Sequence, residues 1–186
     1  MQWTVSRPFV PPALLDLLDR ARLRRAALRY AEQGWAVLPG PTPQVLRLAT
    51  GRLFDVLEVP AALGLRVLGT ARLHTGVLGV ERADARGPVA VTAAGRWMFL
   101  VRPGVPLRSE LDQRLDVVRH GAGSWVPAAP SRMPEGPVRW AVPPERAQWW
   151  LPDAEVVQNL LVDALGTLPE RHVTVPRQMS TTRRGS

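Results

Sequence analysis

The sequence contains no cysteine and no lysine. Without cysteine, disulfides, thiolate nucleophiles and cysteine-ligated zinc are excluded. Without lysine, a Schiff-base amine and the phosphate-binding lysine of a Walker-type loop are excluded as well. No apolar run approaches the roughly 20 residues that a membrane helix needs. Met1 to Pro12 lacks the charged start and apolar stretch of a signal peptide. A cytoplasmic protein with no membrane partner is therefore expected. Histidine is scarce: His74, His120 and His172 stand apart, without the paired spacing of a zinc site. Ser109, Ser124 and Ser131 lack a Gly-x-Ser-x-Gly elbow, and Gly121-x-Gly123 precedes a strand rather than the helix of a dinucleotide fingerprint.

What is present suits one domain with a real core, since 46% of the 186 residues are hydrophobic. Nineteen prolines and 15 glycines point to short elements joined by turns rather than a helical bundle. The formal net charge is +8, and all 24 basic residues are arginine. The guanidinium fork suits phosphate, so a nucleic acid or nucleotide is an admissible partner. The codon bias of a GC-rich genome accounts for the arginine excess without any ligand.

Pro11 and Pro12 can open a helix that runs to Gly34, a suitable left-handed stop. Leu14, Leu18 and Ala21 share one face of it, and Leu23, Ala27, Tyr30 and Ala31 another. Its arginines, Arg20, Arg22, Arg24, Arg25 and Arg29, form either a solvated face or a phosphate-facing ridge. Strands are expected at Trp35 to Leu38, Leu53 to Val59, Val77 to Val80, Val89 to Thr92, Trp97 to Arg102 and Leu115 to Arg119. Pro60 is expected to start a helix through about Leu73, with a short polar helix from Leu107 to Arg114. A final helix spans Ala154 to Leu165, with Asp153 as its cap and Gly166 as its exit. The mixture predicts an α+β domain with a mostly antiparallel sheet and flanking helices. Residues 1–12 are expected to form an arm, 13–168 the domain, and 169–186 a disordered basic tail. Trp35, Trp97 and Trp125 are expected in the core; Trp149-Trp150 is either packed there or a stacking surface for bases.

One stretch reads Ala27-Leu28-Arg29-Tyr30-Ala31-Glu32-Gln33-Gly34-Trp35-Ala36-Val37-Leu38-Pro39. A second reads Gly121-Ala122-Gly123-Ser124-Trp125-Val126-Pro127-Ala128-Ala129-Pro130-Ser131, followed by Gly136-Pro137-Val138-Arg139-Trp140. Together they resemble the amino-terminal domain of bifunctional DNA primase/polymerases, members of the archaeo-eukaryotic primase superfamily, over about Leu23 to Leu165. The resemblance implies a recognition-motif-like sheet and a nucleotide near its closing segment. In an active member, magnesium or manganese would serve joining of nucleotides on a DNA template. The length leaves no room for the helicase portion that often accompanies the family domain, so the chain is expected to act alone or through a separate helicase or replication partner.

Nucleotidyl transfer clamps divalent ions between the attacking hydroxyl and the triphosphate. The family supplies oxygens from an apolar strand ending in Asp-x-Asp, then a Gly-x-His turn, then a later aspartate. Here the strand reads Leu53-Phe54-Asp55-Val56-Leu57-Glu58-Val59-Pro60, whose two acids are three apart. Side chains alternate along a strand, so Asp55 and Glu58 face opposite sides unless a bulge intervenes. The turn reads Gly95-Arg96-Trp97, with tryptophan at the histidine position, and Val118 falls near the third acid with Asp116 two residues away. The expectation is a degenerate member that binds nucleotide or nucleic acid and needs no cofactor. The alternatives are an active primase/polymerase using magnesium or manganese, and a protein-binding scaffold. If active, Asp55, Glu58 and Asp116 would carry catalysis, with Asp55 and Glu58 on the metal. The resemblance also assigns phosphate binding to Arg96, Arg119 and Ser131. His120, beside Gly121, either reaches a phosphate or is merely solvent-exposed.

Overall fold

Pro12 fits the first turn of a helix, where its missing N–H costs nothing, and α1 runs Pro12–Glu32. Gly34 at φ +76° ends it, as the amides of Gly34 and Trp35 bond back to Ala31 and Tyr30. The protein, seen in a computed structural model, is described over residues 12–77 and 87–166. The expected basic tail and all but the last residue of the expected arm lie outside these.

After α1 come β1 (Val37–Pro39), β2 (Leu46–Ala49) and β3 (Asp55–Pro60), then α2 (Ala61–Val77). Next are β4 (Val89–Val91), β5 (Arg96–Val101), α3 (Ser109–Asp112), β6 (Val118–His120) and β7 (Trp125–Ala128). The chain closes with β8 (Arg132–Met133), β9 (Gly136–Pro137), β10 (Arg139–Val142) and α4 (Ala154–Gly166). Every strand pairing among the described residues is antiparallel. The main sheet has the order β10-β4-β5-β3-β6, a second sheet β1-β2-β7, and β8-β9 form a small ribbon. The α+β class with a mostly antiparallel sheet and flanking helices is thus observed.

The main sheet is covered on both faces, which is why β3 and β5 are apolar almost without alternation. One face presents Leu57, Val59, Phe99 and Val101 to Leu63 and Val67 of α2 and to Val157 and Leu161 of α4. The other presents Val56, Met98 and Leu100 to Leu48 and Val126 of the second sheet and to Ala26 and Tyr30 of α1. Tyr30, Trp35 and Trp149 pack their rings together at centroid distances of 5.1–6.3 Å. Asp153 caps α4 as expected, its Oδ1 accepting the Glu155 amide at 2.9 Å.

Several elements differ from the sequence expectation. Pro60 closes β3 instead of opening α2, because a prolyl residue can end a ladder where no amide is required. Val77 is the last residue of α2, not the start of a strand, and 78–80 lie outside the described residues. The strand expected from Leu115 begins only at Val118. Before it the chain turns, with the Val117 amide on Arg114 O, and Leu115 is fully exposed. The short helix keeps only Ser109–Asp112. Strand β2, behind the Pro39-Gly40-Pro41 break, and strands β8, β9 and β10 have no counterpart among the expected strands. In α1, Leu14, Leu18 and Ala21 are exposed, since burial of that helix begins only at Leu23. Its arginines also face solvent.

Candidate functional site

Strand alternation separates the two acids of β3. Asp55 points to the α2/α4 side with Leu57 and Val59, and Glu58 to the opposite side with Val56. No bulge interrupts the register with β5 or β6. Each acid meets an arginine from a neighbouring strand on its own face.

Asp55 is 1% exposed. Its Oδ2 accepts Arg119 Nε at 3.1 Å and Nη2 at 2.8 Å, and the Gly104 amide at 3.1 Å. Its Oδ1 is buried with no hydrogen-bond partner among the described residues. Among the described residues, that oxygen is the feature that would suit a divalent cation. Magnesium, however, needs further hard oxygens in a tight octahedron, and a guanidinium already occupies the partner oxygen of the same carboxylate. Glu58 is on the far side of the sheet. Among the described residues no group of three acids or histidines is gathered as a metal site. The residues around Asp55 do not fit magnesium or manganese.

On the other face Glu58 Oε1 accepts Arg96 Nε at 2.6 Å, and Oε2 lies 2.7 Å from His120 Nε2. The hydrogen bond from His120, together with Arg96, holds the Glu58 carboxyl down at about 2 against the opposing effect of burial. Arg96 also donates through Nη2 to the Asp116 carbonyl at 2.8 Å. The Asp116 carboxylate itself is clasped by Arg114 at 2.9 and 2.8 Å, which lowers its pKa. Arg96 therefore gathers Glu58 and the Asp116 backbone, while Asp116 turns its charge elsewhere. Trp97, the next residue, faces the α2 side and is buried.

His120 is only partly exposed, not merely a solvated loop-edge residue, because strand β6 sets its ring against Glu58. Its Nδ1 lies 3.2 Å from Ser124 Oγ, across the Gly121-Ala122-Gly123 turn. That turn is held by the Thr50 hydroxyl on Gly121 O at 2.6 Å. A Cβ on Gly51 would come within 2.1 Å of Ala122 Cα, so the two loops touch backbone to backbone. A neutral imidazole donating Nε2–H to Glu58 would leave Nδ1 free to accept the Ser124 proton. Acyl transfer would also need free amides for an oxyanion, and the Ser124 amide is already spent on Gly121 O.

Ser131 is 0% exposed and latches β2, its Oγ accepting Leu46 N at 2.7 Å and donating to Leu46 O at 3.1 Å. A sealed hydroxyl bonded on both sides has nothing left for a phosphate, so its assignment as a phosphate ligand is corrected. Arg119 and Arg96 are likewise committed to carboxylates. Trp125, expected in the core, is 42% exposed; of the Trp149-Trp150 pair, Trp149 packs on Trp35 while Trp150 is 41% exposed. Comparison of the chain with protein-family models, curated proteins and solved structures yields no match. No helix among the described residues is long and apolar enough to cross a membrane.

Proposed function

We propose that this chain is a primase-polymerase-like domain protein that has lost metal-dependent synthesis and kept nucleotide or nucleic-acid binding. One observation carries the first half: Asp55 and Glu58 lie on opposite faces of the sheet, each already bonded to an arginine. A carboxylate held by a bidentate or close guanidinium is a poor ligand for a second cation, because the two positive charges repel at contact distance. Asp116, the third acid, is tied to Arg114 in the same way. The binding half is supported by the net charge of +8 and by exposed arginines. Arg52, Arg132 and Arg139 have no acid within ion-pair distance among the described residues.

Primer extension with labelled nucleotides and manganese, beside single-stranded DNA binding across a salt series, tests both halves. The expected outcome is no extension, together with binding that weakens steeply as salt rises. Extension that Asp55→Asn abolishes in a folded protein would overturn the loss of synthesis. Absence of binding even at low salt would leave a protein-binding scaffold.

A further inference from the structure

The second sheet buries one face and leaves the other open. Leu46 and Leu48 of β2, with Val126 and Ala128 of β7, point into the core. Between them Arg47, Ala49, Trp125 and Pro127 point outward, with Leu38 of β1 opposite Arg47. Trp125 keeps 42% of its surface exposed, as Trp150 does at 41%, whereas Tyr30, Trp35, Phe54, Trp97 and Phe99 are buried. The Arg47 guanidinium lies over its ring at 4.4 Å from the centroid, a cation–π contact between diagonal neighbours on adjacent strands. That guanidinium is not free to swing. Its Nε and Nη2 both donate to Pro39 O, at 2.9 and 2.6 Å. The surroundings on the face are apolar: Leu38, Ala49 and Pro127.

Charge selects the occupant. Segments 35–52 and 121–134, which build this sheet and its loops, contain no aspartate or glutamate. They contain Arg47, Arg52 and Arg132, and Arg52 is exposed without an acid partner among the described residues. An exposed aromatic with a fixed guanidinium, on an acid-free open sheet, is the arrangement that stacks unpaired bases while neighbouring cations meet phosphates. The base pairs of a duplex are stacked on each other and offer no free ring face to Trp125.

We propose that the outer face of the β1-β2-β7 sheet, centred on Trp125 and Arg47, is a stacking platform for single-stranded nucleic acid. This rests on the reading of the protein as a nucleic-acid binder and gives that reading a location. A base stacks ring against ring on the Trp125 face that Arg47 does not cover, and Arg52, in the loop that follows β2, meets the strand's phosphates. The platform reads bases by their π surface and carries little sequence preference.

The test is binding of oligo(dT), oligo(rU) and an abasic deoxy-oligomer to the full chain at about 50 mM salt, where phosphate contacts are strong. Trp125→Ala is expected to weaken base-bearing strands about 10-fold and the abasic strand hardly at all, and Trp125→Phe to restore most of the loss. Because Trp125 lies on the outer face, both variants are expected to stay folded, with Trp125→Ala unfolding only about 2–4 °C below wild type through loss of the Arg47 contact. The stronger of the two homopolymers identifies DNA or RNA as the source. Unchanged affinity in a folded Trp125→Ala variant would overturn the platform and leave nucleic-acid binding standing elsewhere. Equal wild-type affinity for abasic and base-bearing strands would also overturn it. No binding of any strand would overturn both readings and point to a protein occupant.

Discussion

Glu58 and Tyr30 are two partly or fully buried residues whose surroundings move their pKa in opposite directions. The Glu58 carboxyl sits at about 2 in the folded chain against 4.5 ordinarily, because His120 and Arg96 bond its charged form. A depressed acid contributes stability that is complete above its unfolded pKa and is lost as pH falls through the folded one. The window here runs from about 4.5 down to about 2. Allowing for its partly solvated position, this contribution is about 1–2 kcal/mol. Denaturant unfolding should show Glu58→Gln less stable than wild type at about pH 5, with the gap closing towards pH 2. Tyr30 is the opposite case: burial pushes its hydroxyl up to about 12. The hydroxyl donates to Ala129 O at 2.6 Å and accepts Trp140 Nε1 at 3.0 Å. A raised group stabilises the fold fully below its unfolded pKa, about 10, and ceases to as pH passes the folded one. As the only tyrosine in the sequence, it makes tyrosinate absorbance a direct readout. Its midpoint should lie near 12 in the native protein and near about 10 in denaturant.

At the scale of elements, α2 shows packing overruling helix propensity. An exposed helical glycine changed to alanine ordinarily gains about 1 kcal/mol. A Cβ on Gly64, however, would lie 2.5 Å from Trp97 Cγ, whose ring is fixed against the sheet. Gly69 in the same helix has nothing within 4 Å. Gly69→Ala should therefore raise stability by about 0.5–1 kcal/mol. Gly64→Ala should lower it by about 1–3 kcal/mol, since overpacking outweighs the propensity gain. A thermal unfolding pair decides it, and equal shifts of the same sign would contradict the close packing of α2 on β5.

For the molecule as a whole, the relevant balance is between neutralised and free arginines. Arginines paired with Asp55, Glu58 and Asp116 serve the fold. Those without acids give the surface its net positive field, which draws polyanions and is screened within about 10 Å at 0.1 M salt. If three to five phosphates are met, the logarithm of the single-strand binding constant should fall with log salt at a slope of about −2 to −3.5. A slope near zero would mean that the field plays no part in binding.

Much of this was legible from residue order. The helices at both ends of the described chain follow from apolar spacing and from Gly34 and Asp153 as stops and caps. The opposed directions of Asp55 and Glu58 follow from the two-residue repeat of a strand and nothing else. Missing cysteine and lysine closed whole classes of chemistry. Tertiary structure alone decided which charges meet. Asp55 finds Arg119 and Glu58 finds Arg96 across 64 and 38 residues, pairings created by strand order rather than proximity in sequence. It decided likewise that Ser131 is sealed beneath β2, that Trp149 is packed, and that Trp125 stands in water. An aromatic in a short apolar strand reads the same whether its face is covered or open, because covering depends on what other elements bring to it.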